Sequence, residues 1–313
     1  MPSPIAGIVP VMLTPFTEQS RIDWDGYQAL IEWYLDKGAD ALFAVCQSSE
    51  MQFLSLAERV ALARFTVEAV DGRVPVIASG HIADALDEQL AELQAIGETG
   101  LDALVLVTNR LAPADADDDR ALLEPLRRIM ATLPPELPLG LYECPAPYRR
   151  LLSDEEVRFC AESGRFVFLK DVSCDLSTVT RRLALAAGSP LAVVNANAAI
   201  AWPALRAGSP GFCGVFNNFH PDLYKWLSLE GAGHQAFAEE LAVFLALASM
   251  AETKGYPAIA KLYHQRLGTF RAIACRAIDY DIRTDIWALD SILDRIAEGT
   301  ELYRDKLARL QQP

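Results

Sequence analysis

A lysine at the end of a short apolar segment is the first residue that could carry out chemistry. In FVFLKD, residues 166–171, four apolar residues lead directly into Lys170. A lysine that attacks a carbonyl group must be neutral, and burial at the end of such a segment disfavours its charged form. The resulting imine would act as an electron sink for a 2-oxo acid. Lys170 could instead form a structural ion pair with Asp171 or Glu50, and the pattern alone does not decide between these interpretations.

A tyrosine occupies the corresponding place in the preceding apolar segment. Tyr142 lies in PLGLYEC, residues 138–144. Adjacent strands of a sheet lie about 4.8 Å apart, so the phenol could meet Lys170 if both segments are strands. A phenol beside an imine can move protons to and from the carbinolamine and aldol oxygens. The pair therefore indicates Schiff-base chemistry, with Lys170 as nucleophile and Tyr142 as proton shuttle.

Short apolar segments recur along the chain with amphipathic segments between them. They are continuous rather than alternating, which is typical of parallel strands buried on both faces. The segments are 7–13, 41–46, 74–79, 103–108, 138–144, 166–171, 191–197 and 211–216. Eight βα units predict an α/β protein with a (β/α)8 TIM barrel, whose chemistry lies at the carboxyl ends of the strands. A doubly wound open sheet is the alternative, but no glycine-rich turn follows the first segment.

The intervening segments carry helix signals. Ser55 with Glu58, and Ser153 with Glu156, have the spacing of a capping box, and the acidic stretch 153–156 is interpreted as a solvated helix start. After residue 230 the pattern is helical throughout. We therefore predict a barrel catalytic domain over 1–230 and a C-terminal helical subdomain over 231–313, which either caps the barrel or forms an oligomer contact.

Composition and charge exclude several classes of partner. The net charge is −14, and no basic cluster that could neutralise several phosphates is present, so we expect no nucleic-acid binding. No apolar run reaches the ~18 residues of a membrane span, and the N-terminus lacks the features of a signal peptide. Six cysteines without a C-x-x-C pair do not suggest a disulfide framework. These features predict a cytoplasmic protein that does not act at a membrane.

The segment ends also carry a family resemblance. LYECP (141–145) stands where the dihydrodipicolinate synthase / N-acetylneuraminate lyase family of class I Schiff-base aldolases has Tyr-Asn-x-Pro. FLKD (168–171) is similar to its Gly-Ile-Lys-Asp, and CQSSE (46–50) occupies the place of its Gly-Thr-Thr-Gly-Glu turn. GFCGVFNNFHP (211–221) resembles its last-strand segment. The resemblance covers the barrel and implies a lyase or aldolase that acts on pyruvate or another 2-oxo acid.

The resemblance implies roles for individual residues. Lys170 would form the imine, Tyr142 would move protons, and the Ser48 hydroxyl would link to that tyrosine and to the substrate. The backbone N–H groups of Ser48 and Ser49 would hold the substrate carboxylate. Gln47 replaces a threonine of the turn, and its amide could orient the substrate. Further substrate contacts are expected at the ends of the last two strands, from Asn195 and Cys213.

The resemblance implies neither a cofactor nor a metal, and it implies a homo-oligomer, a dimer or a tetramer. Pro147 stands where the synthases have an arginine for a distal carboxylate, and Ala198 and Ala199 stand where the lyases have an acidic pair. These departures indicate a divergent member that is neither of the two name-giving enzymes. The second substrate, and the choice among cleavage, condensation and dehydration, stay open. The arginines that could contact a distal acid group are Arg110, Arg149 and Arg150.

Two other functions are compatible with the residues. A metal-dependent barrel lyase or hydrolase would draw its ligands from strand-end histidines and cysteines, namely His81, His220, Cys46, Cys144, Cys174 and Cys213. A non-catalytic 2-oxo-acid-binding protein on the same barrel would explain the altered turn at residues 47–49.

Overall fold

The computed structural model describes residues 2–113 and 120–310, and its parallel strands form one curled sheet. The strands in these residues are β1 (Gly7–Ile8), β2 (Leu42–Phe43), β3 (Val76–Ala78), β4 (Ala103–Val107), β5 (Leu139–Tyr142), β6 (Phe166–Asp171), β7 (Ala192–Asn195) and β8 (Gly211–Phe212). From β2 to β8 each strand pairs with the next, and β1 pairs with β8. A parallel bridge between Val11 and Phe43 joins the chain after β1 to β2 and closes the ring. The predicted eight-stranded barrel is confirmed.

Helices follow the strands and cover the barrel. In the described residues they are α1 (Trp24–Asp36), α2 (Leu56–Val70), α3 (Leu86–Gly97), α4 (Leu123–Thr132), α5 (Asp154–Ser163), α6 (Leu176–Ala186), α7 (Ala201–Arg206), α8 (Pro221–Glu230), α9 (Gln235–Ser249), α10 (Ala258–Arg266), α11 (Ile282–Asp285) and α12 (Leu289–Leu310). Among them, no helix has both the length and the apolar character needed to cross a membrane.

The strands are shorter than the apolar segments that predicted them. Strands β4, β5 and β6 are buried along their whole length, as both-sided burial requires. Beyond the strand ends the chain bends into turns, such as the short 3-10 helix Gln47–Ser49 after β2. The turns place polar side chains at the carboxyl ends of the strands, where barrel chemistry occurs.

Both predicted capping boxes are present. The Ser55 hydroxyl accepts from the Glu58 N–H at 3.2 Å, and the Ser153 hydroxyl accepts from the Glu156 N–H at 3.1 Å. The interpretation of 153–156 as solvated is wrong for Glu156, whose side chain is fully buried. Its carboxylate forms an ion pair with Arg150 at 2.7 Å, because burial of this charge requires a partner.

Helices α9, α10, α11 and α12 occupy the chain after residue 230, and no strand lies in the described part of that region. The proposed division into a barrel domain and a helical subdomain at this residue stays a prediction. A buried contact connects the two regions, since the Lys261 ammonium of α10 lies 2.5 Å from a carboxylate oxygen of Glu50.

Glu50 anchors the C-terminal region to the turn after β2. Both side chains of its ion pair with Lys261 are fully buried. The second carboxylate oxygen accepts from the backbone N–H groups of Arg276 and Ala277, at 2.5 and 2.7 Å. Glu50 itself adopts a left-handed backbone conformation with φ of 62°. This conformation is uncommon outside glycine, and the hydrogen bonds of the side chain hold it in place.

Replacing Lys261 should destabilise the protein strongly. We expect Lys261→Met to lower the free energy of unfolding by about 3 kcal/mol, because it leaves the Glu50 carboxylate buried without a counter-ion. Urea unfolding followed by circular dichroism measures the change. The matched control is Lys225→Met, which breaks a half-exposed ion pair with Asp40 and should cost less than about 1 kcal/mol. Equal losses in the two variants would contradict the expectation.

Candidate active site

Lys170 and Tyr142 stand opposite each other on neighbouring strands. They are paired in the register of β5 and β6, and the Lys170 ammonium lies 4.4 Å from the centre of the Tyr142 ring. Both side chains are nearly buried, with 4% and 3% of their surface exposed. The sheet thus brings together the two residues that the sequence singled out.

The acidic residue that follows Lys170 is turned away from it. Successive side chains of a strand point to opposite faces, so Asp171 and Glu143 both lie behind the site. There Arg182 of α6 holds both carboxylates, Asp171 at 2.5 Å and Glu143 at 2.6 Å. Burial raises the pKa of Glu143, and the charge of Arg182 acts against this rise. Asp171 is therefore not a partner of Lys170.

Lys170 consequently lacks a counter-ion at contact distance. Glu50, the other expected partner, is committed to Lys261. No carboxylate in the described residues lies within 4.0 Å of the Lys170 ammonium. The interpretation of Lys170 as half of a structural ion pair with Asp171 or Glu50 is wrong, which leaves a buried amine without a structural task.

Gln47 occupies the space beside the Tyr142 hydroxyl. Its side-chain carbonyl oxygen accepts from the Tyr142 hydroxyl at 3.4 Å and from the Cys144 thiol at the same distance. An amide oxygen accepts a hydrogen bond but does not transfer the proton further, so no proton relay continues through Gln47. Burial raises the pKa of Tyr142 well above its ordinary value, which keeps the phenol protonated.

The Ser48 hydroxyl does not make the link to Tyr142 that the resemblance implies. It interacts instead with the phenol of Tyr256 and with the thiol of Cys46. Burial raises the pKa of Tyr256 well above its ordinary value, and the interaction with Ser48 acts against this rise. Tyr256 also accepts from the Asn218 amide at 3.1 Å. The side chain of Gln47, which is longer than that of Ser48, lies next to Tyr142 instead. Sequence reasoning missed Tyr256, since no local pattern connects it to the turn after β2.

Ser49 is buried against its own turn. Its hydroxyl donates to the Cys46 carbonyl at 2.6 Å and accepts from the Cys46 N–H at 2.8 Å. The Ser49 N–H also donates to the Cys46 carbonyl, at 3.2 Å. Ser49 therefore supports the turn that presents Gln47 and Ser48, and its backbone N–H has a partner within the protein.

Asn195 and Cys213 lie close to the site but do not face its cavity. The Asn195 side chain donates to the Asn197 carbonyl at 2.8 Å and accepts from the Asn197 N–H at 3.1 Å, so it closes its own loop. Cys213 is fully buried, and burial raises the pKa of its thiol to about 12, against the opposing effect of Lys170. The role of both residues in substrate binding stays a prediction.

A cavity of about 660 Å³ opens over Lys170 and Tyr142. The strand ends form one side of it, through Gln47, Ser48, Pro147, Ala198, Phe212 and Val215. The C-terminal region forms the other side, through Ser249, Glu252, Tyr256, Pro257 and Ala277. The site thus combines residues of the barrel with residues from the last quarter of the chain.

Of the candidate arginines, only Arg110 lines this cavity. It forms an ion pair with the exposed Asp84. Arg150 is held by Glu156, and Arg149 is exposed on the surface.

The histidines proposed as metal ligands serve structural contacts. His81 is fully buried and accepts from the Val107 N–H at 2.6 Å, and burial lowers its pKa to about 4. His220 lies 3.1 Å from the Thr300 hydroxyl, and burial lowers its pKa to about 3. Within residues 2–113 and 120–310, no group of three or more histidine, cysteine, aspartate or glutamate side chains is arranged to hold a metal ion.

Several known proteins are similar to this chain in sequence. The model of the dihydrodipicolinate synthetase family matches residues 4–278. The 4-hydroxy-tetrahydrodipicolinate synthase of Bacillus subtilis (strain 168) is 29% identical over 205 residues, which cover 65% of this chain and 68% of that protein. The enzyme of the same name from Pseudomonas aeruginosa is 28% identical over 217 residues, or 69% and 72% of the two chains.

Solved structures share the fold. A dihydrodipicolinate synthase from Bacillus anthracis superposes with a TM-score of 0.83 at 24% identity, over 93% of this chain and 98% of that one. YagE, a prophage protein from E. coli K12 in complex with pyruvate, superposes with a TM-score of 0.82 at 22% identity, over 95% and 99%.

The exposed cysteine of the cavity should react first with alkylating reagents. Cys174 lines the cavity and is exposed, whereas burial raises the pKa of the thiols at 46, 144, 160, 213 and 275. Because the thiolate is the nucleophile, iodoacetamide at mildly alkaline pH should add one group to the native protein, at Cys174. Peptide mass spectrometry locates the group, and Cys174→Ser should abolish the fast addition. Fast labelling of any buried thiol would contradict this order of reactivity.

Proposed function

The chain belongs to the dihydrodipicolinate synthetase family, and from this membership we propose that it is a class I aldolase-type lyase that forms a Schiff base with pyruvate or another 2-oxo acid. One observation carries the proposal. Lys170 is a buried amine without a counter-ion at contact distance, and it lies 4.4 Å from the Tyr142 ring at the bottom of a cavity. The neutral form of an amine is the nucleophile in imine formation.

In the proposed reaction, the Lys170 nitrogen attacks the 2-oxo carbon and forms a carbinolamine. The carbon–oxygen bond then breaks, the oxygen leaves as water, and a protonated imine remains. Tyr142 supplies the proton to the departing oxygen and takes it back in the reverse step. In the resting site the Tyr142 hydroxyl donates to the Gln47 carbonyl, so it turns its single O–H toward the departing oxygen when it supplies the proton.

The substrate carboxylate is proposed to bind at the turn after β2. The backbone N–H groups of Ser48 and Ser49 would hold it, with the Ser49 N–H exchanging its bond to Cys46 for the substrate. Cys213 would pack beside the imine, and the Asn195 side chain would support the neighbouring loop. The Ser48 hydroxyl would assist substrate binding through its contact with Tyr256 rather than through Tyr142.

The residues that would contact a second substrate differ from those of dihydrodipicolinate synthase and N-acetylneuraminate lyase. Pro147 and Ala198 line the cavity where those enzymes would place an arginine and an acidic residue. We therefore propose a lyase, aldolase or dehydratase of the same chemistry with a different partner for the imine. We also propose that it acts in the cytoplasm as a homo-oligomer, a dimer or a tetramer. Apolar side chains exposed on α9, namely Val243 and Leu247, support a contact surface.

Removing the amine should abolish imine formation. Wild-type protein treated with pyruvate and sodium borohydride should gain the mass of one reduced pyruvate, and Lys170→Ala should gain none. Intact-mass spectrometry measures the adduct. Lys225→Ala, which removes a half-exposed lysine far from the cavity, is the matched control and should behave as wild type. An adduct on Lys170→Ala would show that a different lysine reacts.

Removing the phenol hydroxyl should slow proton transfer without preventing the imine. We expect Tyr142→Phe to trap pyruvate still, while its rate of exchange of the pyruvate methyl protons with deuterium oxide falls about 100-fold or more. Proton NMR measures this exchange without any second substrate. Exchange at the wild-type rate would mean that Tyr142 is not the proton shuttle.

A further inference from the structure

Two carboxylates line the cavity, and they differ in how they are neutralised. Glu50 is bound by the Lys261 ammonium and by two backbone N–H groups. Glu252 has neither an ion pair nor a hydrogen bond among the described residues. Within the described residues, Glu252 is therefore the cavity-lining carboxylate without a partner of its own. Its charge is available to a ligand.

Glu252 faces Lys170 from the C-terminal side of the cavity. It lies in the short 3-10 helix Met250–Thr253 that follows α9, and its neighbours Ser249 and Tyr256 line the same wall. Glu252 is an exposed residue, and it also lines the cavity. Partial burial there raises the pKa of Glu252, and the charge of Lys170 opposes this rise. The two groups therefore act on each other across the space that a substrate would fill.

In the described part of the chain, neither of the two cations that line the cavity is free to bind a distal carboxylate of a substrate. Lys170 is committed to the imine, and Arg110 is held by Asp84. A substrate with a second carboxylate would place a negative charge in the space that Glu252 already faces. Like charges at a partly desolvated site are costly, whereas hydrogen bonds that a carboxylate accepts are stronger than neutral ones.

We propose that Glu252 selects the far end of the substrate. It binds a hydroxyl or ammonium group on the carbon chain beyond the imine, and it rejects substrates that carry a carboxylate there. This inference rests on the proposed imine at Lys170. Glu252 acts by binding and not by transferring protons, and the segment that carries it determines which partner the barrel accepts.

Two 2-oxo acids of equal chain length test the inference. They are 5-hydroxy-2-oxopentanoate, which ends in a hydroxyl group, and 2-oxoglutarate, which ends in a carboxylate. The concentration that gives half-maximal adduct with borohydride is measured for each by intact-mass spectrometry. The ratio of the two concentrations cancels any effect of Glu252 on the reactivity of Lys170, since both acids form the imine through the same 2-oxo acid group.

Wild-type protein should require about tenfold more 2-oxoglutarate than hydroxy acid. Glu252→Gln removes the charge at nearly constant shape and should shift the ratio about tenfold toward 2-oxoglutarate. Glu252→Asp keeps the charge and should keep the preference for the hydroxy acid. Arg110→Gln should leave the ratio unchanged, because Arg110 stays with Asp84.

Three outcomes would overturn the inference while the proposed function stands. They are an unchanged ratio in Glu252→Gln, a loss of 2-oxoglutarate binding in Arg110→Gln, and trapping of pyruvate without trapping of either longer acid. The second outcome would assign a distal carboxylate to Arg110 instead. Absence of an adduct on wild-type protein with pyruvate and with both longer acids would instead overturn the proposed function, and the inference with it.

Discussion

Lys170 remains buried without a contacting counter-ion because the carboxylates nearest to it in sequence and in the adjoining turn are held by other cations. Arg182 binds Asp171 and Glu143, and Lys261 binds Glu50. A buried carboxylate left without a cation would be strongly destabilising, and it would attract the nearest amine. The two buried ion-pair clusters thus stabilise the fold and, by the same contacts, leave the Lys170 amine uncommitted.

The cluster around Arg182 also fixes the geometry of the site. Glu143 directly follows Tyr142, and Asp171 directly follows Lys170, so one guanidinium behind the sheet holds the ends of both strands. The side chains in front of the sheet alternate with those behind it. The relative position of Tyr142 and Lys170 is therefore set by contacts behind the sheet that do not touch the cavity. A substrate meets a phenol and an amine that already have their positions.

The sequence predicted the parts of the site that depend on local periodicity. Continuous apolar segments indicated eight strands, and equal positions at two strand ends placed Tyr142 opposite Lys170. Contacts between distant segments could not be predicted in this way. Nothing near Tyr256 or Glu252 indicates that they reach the cavity, and their place follows from how the C-terminal helices pack. The burial of Glu156 likewise depends on its ion pair with Arg150. The hydrogen bond from Tyr142 to Gln47 depends on the length of the Gln47 side chain.

The contact between Glu50 and Lys261 has a consequence for how the protein is made. Its two residues are 211 positions apart, and β1 must wait for β8 before the sheet can close. Synthesis proceeds at ~5–20 residues per second, so the ribosome needs roughly 10 to 40 seconds to pass from β1 to β8. During that time the apolar strands have no closed sheet to join. The barrel therefore completes its folding late in translation or after release, and the nascent chain is exposed to aggregation until then.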